Sequence, residues 1–525
     1  MSRRAGRQGG FLPGERSRES IRLTDLLATV GPMGVLAIAG ASFMVVMTTM
    51  RPLIGYTLIA GMIAAAVAYV SGNVRTLSIW GLGLTATLEF SKYFKVAKHQ
   101  GGEYAFRAEL SDPFIIILGA YLILDMAREG RWHLRVSRAA WCWFALIVMT
   151  IFSMLFGEYR LVASMEVVRS LKVLALWLVI ANVLVRKRQI EHLAAALLVG
   201  LAIQSFFGLG QYFFGLKLGF DRLGEADFMA QDLGGTTRRR IGAFLGHPNI
   251  LSCYLAMIMP IALAALFSRV SAQVKIAVGA TLGAAAIALV LALSRNGWAS
   301  FAAAAAIVVM ATMLHGSMRR RTHMLRLALI AGAMLVLLFG SGRIIERLTR
   351  SDPMSVGARW EINRIAFRMV LAKPILGFGK NSTAYVMTRG PEYRLKHIRE
   401  VSHNPENIPP IHNIYIQQWA EQGTIGLIIF LGMLGLVLKA GVENLKTKDE
   451  NMYALSAAAS AGCVAIMIHG TMDWVFWWNA ITRTYFVLAG IVFAIKYWRI
   501  TNEEQGPEVI DTEAWHPAMS GGKHR

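Results

Sequence analysis

The sequence predicts an all-α fold, a polytopic transmembrane helical protein of about 12–14 spans with one large, partly helical extracytoplasmic loop. Three observations predict it. The chain of 525 residues is 55% hydrophobic and only 16% charged, too apolar for one soluble core. Its apolar residues gather in runs of about 18–22, long enough to cross hydrocarbon as helices, where every backbone amide must be satisfied within the segment. The basic residues between those runs fall on alternate sides of the predicted membrane, which a missed or invented span would upset.

In order, a basic cytoplasmic tail (1–25) leads into the first block of transmembrane helices (26–340). Arg3-Arg4 and Ala39-Gly40-Ala41 imitate a targeting signal and its cleavage site, but the apolar run continues to Met50, which predicts an uncleaved first helix. Spans are predicted near 32–50, 53–71, 76–93, 111–127, 139–156, 163–185, 191–213, 247–268, 274–293, 297–315 and 324–340, with Arg51-Pro52 as the turn between the first two. A polar loop (341–412) follows, then C-terminal helices (413–500) with spans near 421–440, 453–471 and 479–497. The acidic end, 501–525, lacks apolar periodicity and is expected to be a disordered cytoplasmic tail.

Arg128, Arg131, Arg135 and Arg138, then Arg186 to Arg188, Arg269 and Lys275, Arg319 to Arg321, and Lys439, Lys446 and Lys448 all fall on the side of the N-terminus, which is therefore the cytoplasm. The other side receives the links 94–110, 214–246 and 341–420 and the aromatic turn MDWVFWW (472–478). A formal charge of +22 is of the sign and size that attracts nucleic acid, but in a chain of this kind basic residues first report topology and anionic headgroups, and no nucleic-acid partner is expected. Cys142, Cys253 and Cys463 lack disulfide or metal-ligand spacing and read as packing residues.

Charges inside a span are functional candidates, because each is costly unless it faces a cavity or a partner. Glu166, Arg169 and Lys172 follow at intervals of three on one helix face, either as an internally paired strip or as substrate contacts. Arg295, in LSRNGWAS, lies at an extracytoplasmic link, against the usual charge bias. Arg240 precedes IGAFLGHPN as an anion contact, and His247 reads as a helix-start residue before Pro248. In the loop, 356–372 reads as an amphipathic helix, with Arg359 near its start and Ile362, Ile365, Ala366, Met369 and Val370 on its apolar face. GFGKNS (377–382) lacks the spacing of a phosphate loop. The loop holds two histidines beside asparagines, His403 and His412; His412-Asn413, just before a helix that runs to Gly423 and into the membrane, suits proton removal from a hydroxyl or a structural hydrogen bond.

RRIGAFLGHPN, LSRNGW, ARWEINRIAFRMVLAKPILGFG and HNIYIQQWAEQGTIG, in this order over about 239–440, resemble the bacterial O-antigen ligase and polysaccharide polymerase family. The most specific match is His412, Asn413, Gly423 and Gly426; after Arg359, Asn363 stands where the family usually places an aromatic residue, so Trp360 is given no role. The resemblance implies a glycosyltransferase whose donor is a glycan on undecaprenyl diphosphate. It implies action at the periplasmic face of the inner membrane, with no nucleotide sugar, metal or other cofactor. The acceptor would be a glycan, lipid A core or a second lipid-linked repeat, among membrane lipids. Arg240, Arg295 and Arg359 would clamp the diphosphate and His412 would activate or orient the acceptor, with Asn413, Glu166, Arg169 and Lys172 as further contacts. A lipid-linked glycan flippase or polysaccharide transporter is the rival reading; its expected paired repeats and broken mid-membrane helices are not evident in the sequence.

Overall fold

The computed structural model describes residues 73–97, 105–130, 132–156, 159–219, 225–226, 229–232, 237–321, 353–389 and 410–504, with isolated positions between 323 and 349 and at 393. The predicted spans 32–50, 53–71 and 324–340, His403, the basic head and the tail beyond 504 lie outside the described residues. The architecture is all-α. Helix α1 (Val74–Thr85) is followed by a hairpin of β1 (Ser91–Val96) and β2 (Ala105–Glu109), then α2 (Asp112–Arg128), α3 (Arg138–Phe156), α4 (Arg160–Val183) and α5 (Lys187–Phe214). A second antiparallel hairpin, β3 (Met229–Asp232) with β4 (Thr237–Arg240), leads to α6 (Pro248–Phe267), α7 (Ala272–Leu291), α8 (Arg295–Leu314) and the short α9 (Gly316–Arg321). Then come α10 (Pro353–Ala372), α11 (Thr383–Arg389), α12 (Ile414–Glu443), α13 (Glu450–His469) and α14 (Asn479–Arg499).

Among the described residues, eight helices (α3, α5 to α8 and α12 to α14) are long and apolar enough to cross a membrane. Their burial separates inner from outer positions. The apolar windows of α6 and α14 are 94% and 89% buried within the protein, whereas those of α3 and α8 are 33% buried and leave wide apolar faces for lipid. Helix α6 packs on α7, α8 and α13. Its contact with α13 is close because a Cβ on Gly462 would stand 2.4 Å from the Met257 carbonyl oxygen, the small-residue approach that membrane helices use in place of a hydrophobic driving force.

Most predicted helices appear within a few residues of their expected ends, with one correction. The run 76–93 is not one span: the helix stops at Thr85 and the chain turns into β1. The reason is local. Glu89 ends the apolar run and accepts the Ala480 amide at 2.9 Å, and Ser-Lys-Tyr-Phe-Lys-Val beyond it suits a strand paired to Ala105–Glu109.

The amphipathic helix of the loop is present as α10, and its predicted apolar face is the buried one: Ile362, Ile365, Ala366, Met369 and Val370 pack with Ala384, Met387, Ile411 and Ala420. That face therefore rests on α11 and the start of α12. The turn after α10 is stitched to a kink in α12, where Gly423 has φ +65°: Thr424 N–H donates to the Pro374 carbonyl at 2.8 Å, Phe378 N–H to Ala420 at 3.1 Å and Gly379 N–H to Glu421 at 2.8 Å. A Cβ on Gly423 would lie 2.1 Å from the Ile375 carbonyl oxygen, and one on Gly377 2.5 Å from the Glu421 backbone. Glycine is required at this kink by both conformation and space. Gly423→Ala is therefore expected to lower the melting temperature of the detergent-solubilised protein by several degrees. Gly435→Ala, on the same helix with open space around it, should leave the melting temperature unchanged or raise it.

Candidate functional site

Three helix starts and one helix end meet at one end of the bundle. His247 caps α6, its Nδ1 accepting the Asn249 amide at 3.1 Å, and Pro248 occupies the first turn, where its missing amide costs nothing. Ser294 caps α8 through the Gly297 amide, just after Leu293, which adopts a left-handed φ of +51°. Asn413 caps α12, its Oδ1 accepting from Tyr415 and Ile416 at 2.9 and 3.0 Å. The end of α13 closes the group. Ile414 N–H donates to the Gly470 carbonyl at 2.9 Å, Asn413 Nδ2 to Thr471 at 2.9 Å, the Tyr415 hydroxyl to Met467 at 2.8 Å and Asn296 Nδ2 to His469.

These contacts set His412 against Asp473. The His412 Nδ1 lies 3.3 Å from Asp473 Oδ1, with the imidazole 20% and the carboxylate 5% exposed, so the ring reaches solvent while its partner does not. Asp473 is further held by its neighbours: Oδ1 accepts the Trp474 amide at 2.9 Å, Oδ2 accepts Asn249 Nδ2 at 3.1 Å, and His469 Nε2 is 4.0 Å away. Burial alone would raise the Asp473 carboxyl, but the His412 hydrogen bond and the charges of His412, His469 and Arg359 hold it well below the usual carboxylate range. With Asp473 ionised, the Nδ1–H tautomer of His412 donates to Oδ1 and leaves Nε2 as the ring's acceptor nitrogen, on a side chain that is 20% exposed. Trp474 stacks on Trp477 at 4.2 Å and stands edge-on to His412 at 6.0 Å, so indole faces border the site.

The three predicted arginines stand differently toward this pair. Arg240 is 8% exposed, its Nε donating to the Ala292 carbonyl at 2.8 Å and its Nη2 to Asn249 Oδ1 at 2.6 Å. It thus ties β4 to α6 and α7 and orients the asparagine that holds Asp473. Arg359, at the half-buried face of α10, is close enough for its charge to act on Asp473 and His247, and Arg295 opens α8 beside Asn296. Neither Arg295 nor Arg359 forms a hydrogen bond or ion pair among the described residues.

Glu166, Arg169 and Lys172 do not form one strip. Arg169 grips Glu166 through Nε and Nη2 at 3.0 and 2.5 Å and extends Nη1 to the Phe476 carbonyl at 2.7 Å, supporting the turn that carries Asp473. Lys172 turns the other way, to Asp112 at 2.8 Å and Glu109 at 3.3 Å. Glu109 also pairs with Arg483 at 2.7 Å, and Arg107 with Glu89 at 3.6 Å. The GFGKNS turn is equally occupied: Lys380 meets the buried Glu421 at 2.9 Å and Asn381 donates to Glu166 Oε2 at 3.4 Å, which explains its lysine without any phosphate. Among the described residues no group of three or more His, Cys, Asp or Glu is arranged to hold a metal ion.

Asp473, His469, Asn249 and Asn296 were absent from the sequence-based candidates. The signal was there for one of them. Asp473 is the single carboxylate in an aromatic turn between two apolar helices, a position where a charge is expensive unless it is used.

Two expectations follow from this arrangement. Lys172→Met leaves Glu109 and Asp112 short of a cation and should cost roughly 2–4 kcal/mol in thermal or denaturant unfolding, whereas Arg295→Gln should cost under about 0.5 kcal/mol. Burial, then the charges of Arg240, His412 and Arg359 working against Asp473, bring His247 down to about 4. The folded state therefore binds fewer protons than the unfolded chain between that value and the ordinary histidine value of about 6.5, so stability is present above about 6.5 and is lost as the pH falls toward about 4. His247→Asn keeps the cap acceptor and should shrink the loss of melting temperature between pH 7 and pH 5.

Residues 280–431 match the family model described as O-antigen ligase, a stretch that contains Arg295, Arg359, His412, Asn413, Gly423 and Gly426 but not Arg240 or Asp473. None of the curated proteins matches the chain. The matched stretch, less than a third of the 525 residues, supplies the starts of α8 and α12 and the α10 face at the site, and over it this multi-pass membrane protein is similar to the O-antigen ligase family, which supports a membrane enzyme of O-antigen or polysaccharide assembly.

Proposed function

We propose that this protein transfers a glycan from undecaprenyl diphosphate to an acceptor hydroxyl at the periplasmic face of the bacterial inner membrane, in polymerisation or ligation of O-antigen or exopolysaccharide. The observation that carries the reading is the His412–Asp473 pair, on which the half-buried Arg359 acts by its charge, with the half-buried Arg295 at the start of α8 beside the Asn296 that bonds the end of α13; neither guanidinium has a carboxylate partner among the described residues. A site built for a diphosphate needs such cations, because permanently charged, forked donors stabilise the charge that develops on a departing phosphate.

In this mechanism the acceptor hydroxyl lies against His412 Nε2 and the sugar C1 lies between that oxygen and the diphosphate. The acceptor oxygen forms its bond to C1 as the C1–O bond to the diphosphate breaks. The hydroxyl proton passes to Nε2, and Asp473 stabilises the imidazolium and fixes its orientation. The lipid diphosphate leaves with the bonding pair, its negative charge taken up by Arg295 and Arg359, and a single displacement inverts C1. Arg240 acts on Asp473 through Asn249 rather than on the donor, while Arg169 supports the turn from behind. Asn413 serves by starting α12 and so placing His412. The Trp474 and Trp477 faces border the sugar. The acceptor would be a glycan, lipid A core or a second lipid-linked repeat.

The test is transfer by purified protein given undecaprenyl-diphosphate glycan and candidate acceptors. His412→Ala should lose about 10²- to 10⁴-fold in kcat, and Arg295→Gln and Arg359→Gln each about 10²- to 10³-fold. Asp473→Asn should lose activity with unchanged donor binding and an altered pH–rate profile, the mark of a residue acting through His412. Full activity in all four variants would overturn the assignment, as would movement of the lipid-linked glycan across liposomes without transfer.

A further inference from the structure

A cavity of about 430 Å³ opens at the other end of the bundle, between the first turn of α3, the last turns of α12 and the last turns of α14. Since His412 precedes the start of α12 and Lys439 lies near its end, this cavity is a helix length away from the site described above. Its lining has two characters. Leu436 and Phe493 form an apolar floor, while Arg138, Lys439 and Lys496 stand around the rim with a single carboxylate, Glu443. Glu443 is taken by Lys496 at 2.6 Å, which leaves Arg138 and Lys439, both exposed, without an ion pair among the described residues. Beside them Ser137 Oγ caps the Ala140 amide at 3.1 Å, and the Arg135 guanidinium lies 5.5 Å above the Tyr497 ring, so the wall of the cavity is ordered by contacts of its own.

We infer that this cavity binds the phosphodiester headgroup of an anionic membrane lipid. Cations on two different helices facing one concavity suit a phosphate, and the apolar floor is built from helices long and apolar enough to cross a membrane, which suits a ligand with acyl chains rather than a soluble polyanion. The cavity lies on the side that the basic loops assign to the cytoplasm, the leaflet face where anionic headgroups attract such clusters. Occupancy would brace α3 against the ends of α12 and α14. Toward the opposite end Gln422 of α12 bonds Thr150 of α3 and Thr482 of α14 bonds the Phe476 carbonyl, so a lipid here would stiffen the frame of the transfer site without touching it.

The experiment is lipid titration of the full-length, detergent-solubilised protein by native mass spectrometry, with phosphatidylglycerol, phosphatidylcholine and inorganic phosphate as probes. Wild type should bind phosphatidylglycerol well above phosphatidylcholine, and millimolar inorganic phosphate should not displace it. Loss of each cation should weaken binding about five-fold, so that Arg138→Gln with Lys439→Gln weakens it about 25-fold. Lys439→Glu alone, an exposed position that does not threaten folding, should weaken it further than Lys439→Gln. Equal phosphatidylglycerol affinity in wild type and the double variant overturns the site. Equal binding of phosphatidylcholine overturns the anionic preference, and displacement by inorganic phosphate overturns the lipid in favour of a soluble anion.

Discussion

A carboxylate taken out of water is stable only while donors and positive charge surround it, and Asp473 imposes that condition on one whole end of the bundle. Its partners come from separate segments: His412 before α12, Asn249 at the start of α6, His469 at the end of α13 and the charge of Arg359 on α10. Each of these positions is in turn fixed by a helix cap or a backbone contact. Asn413 starts α12, His247 and Pro248 start α6, and Asn296 bonds the last carbonyl of α13. The helix ends cannot drift apart without stranding the charge. What this achieves chemically is a partly exposed imidazole with one nitrogen committed to a buried carboxylate.

The cations of the protein divide according to whether the fold has already neutralised them. Lys172, Arg483, Arg169 and Lys380 sit in closed pairs that join distant segments, β2 to α14, α4 to the turn after α13, and the GFGKNS turn to α12. Such groups contribute geometry rather than binding capacity. Arg295 and Arg359 at one end, and Arg138 and Lys439 at the other, are left with charge to spare. The division is physical: a buried cation must be compensated by the protein itself, whereas one at a cavity mouth can be compensated by water until an anion replaces it.

The kink at Gly423 links these two themes. By breaking α12 it lets the segment before Gly423, with His412 just ahead of it and the amide side chains Gln417, Gln418 and Gln422 on it, run at one angle while the rest continues as an apolar span. The turn after α10 lies directly on the break, with carbonyls of Pro374 and Ile375 accepting the amides of Thr424 and Ile425 that the kink exposes. Arg359 is thereby attached to the same rigid element as His412, although 53 residues separate them in the chain.

Local chemistry determined much of this protein. Apolar run length set the spans, Pro248, Ser294 and Asn413 set helix starts, the 3.6-residue spacing of Ile362, Ile365, Met369 and Val370 set the buried face of α10, and the His412 to Gly426 motif carried the family resemblance. Each of these is encoded within a few residues of where it acts. What only the tertiary structure decided is pairing. Glu166 and Lys172 lie six residues apart on one helix yet face different partners, and the carboxylate for His412 comes from a turn 61 residues away that reads as an aromatic interface belt. The strand after Thr85 belongs with these, since its hairpin is stabilised by Glu89 meeting the start of α14. Ion pairs and hydrogen bonds between helices depend on how the helices are packed, and no periodicity within a single helix records which neighbour its charged face will meet.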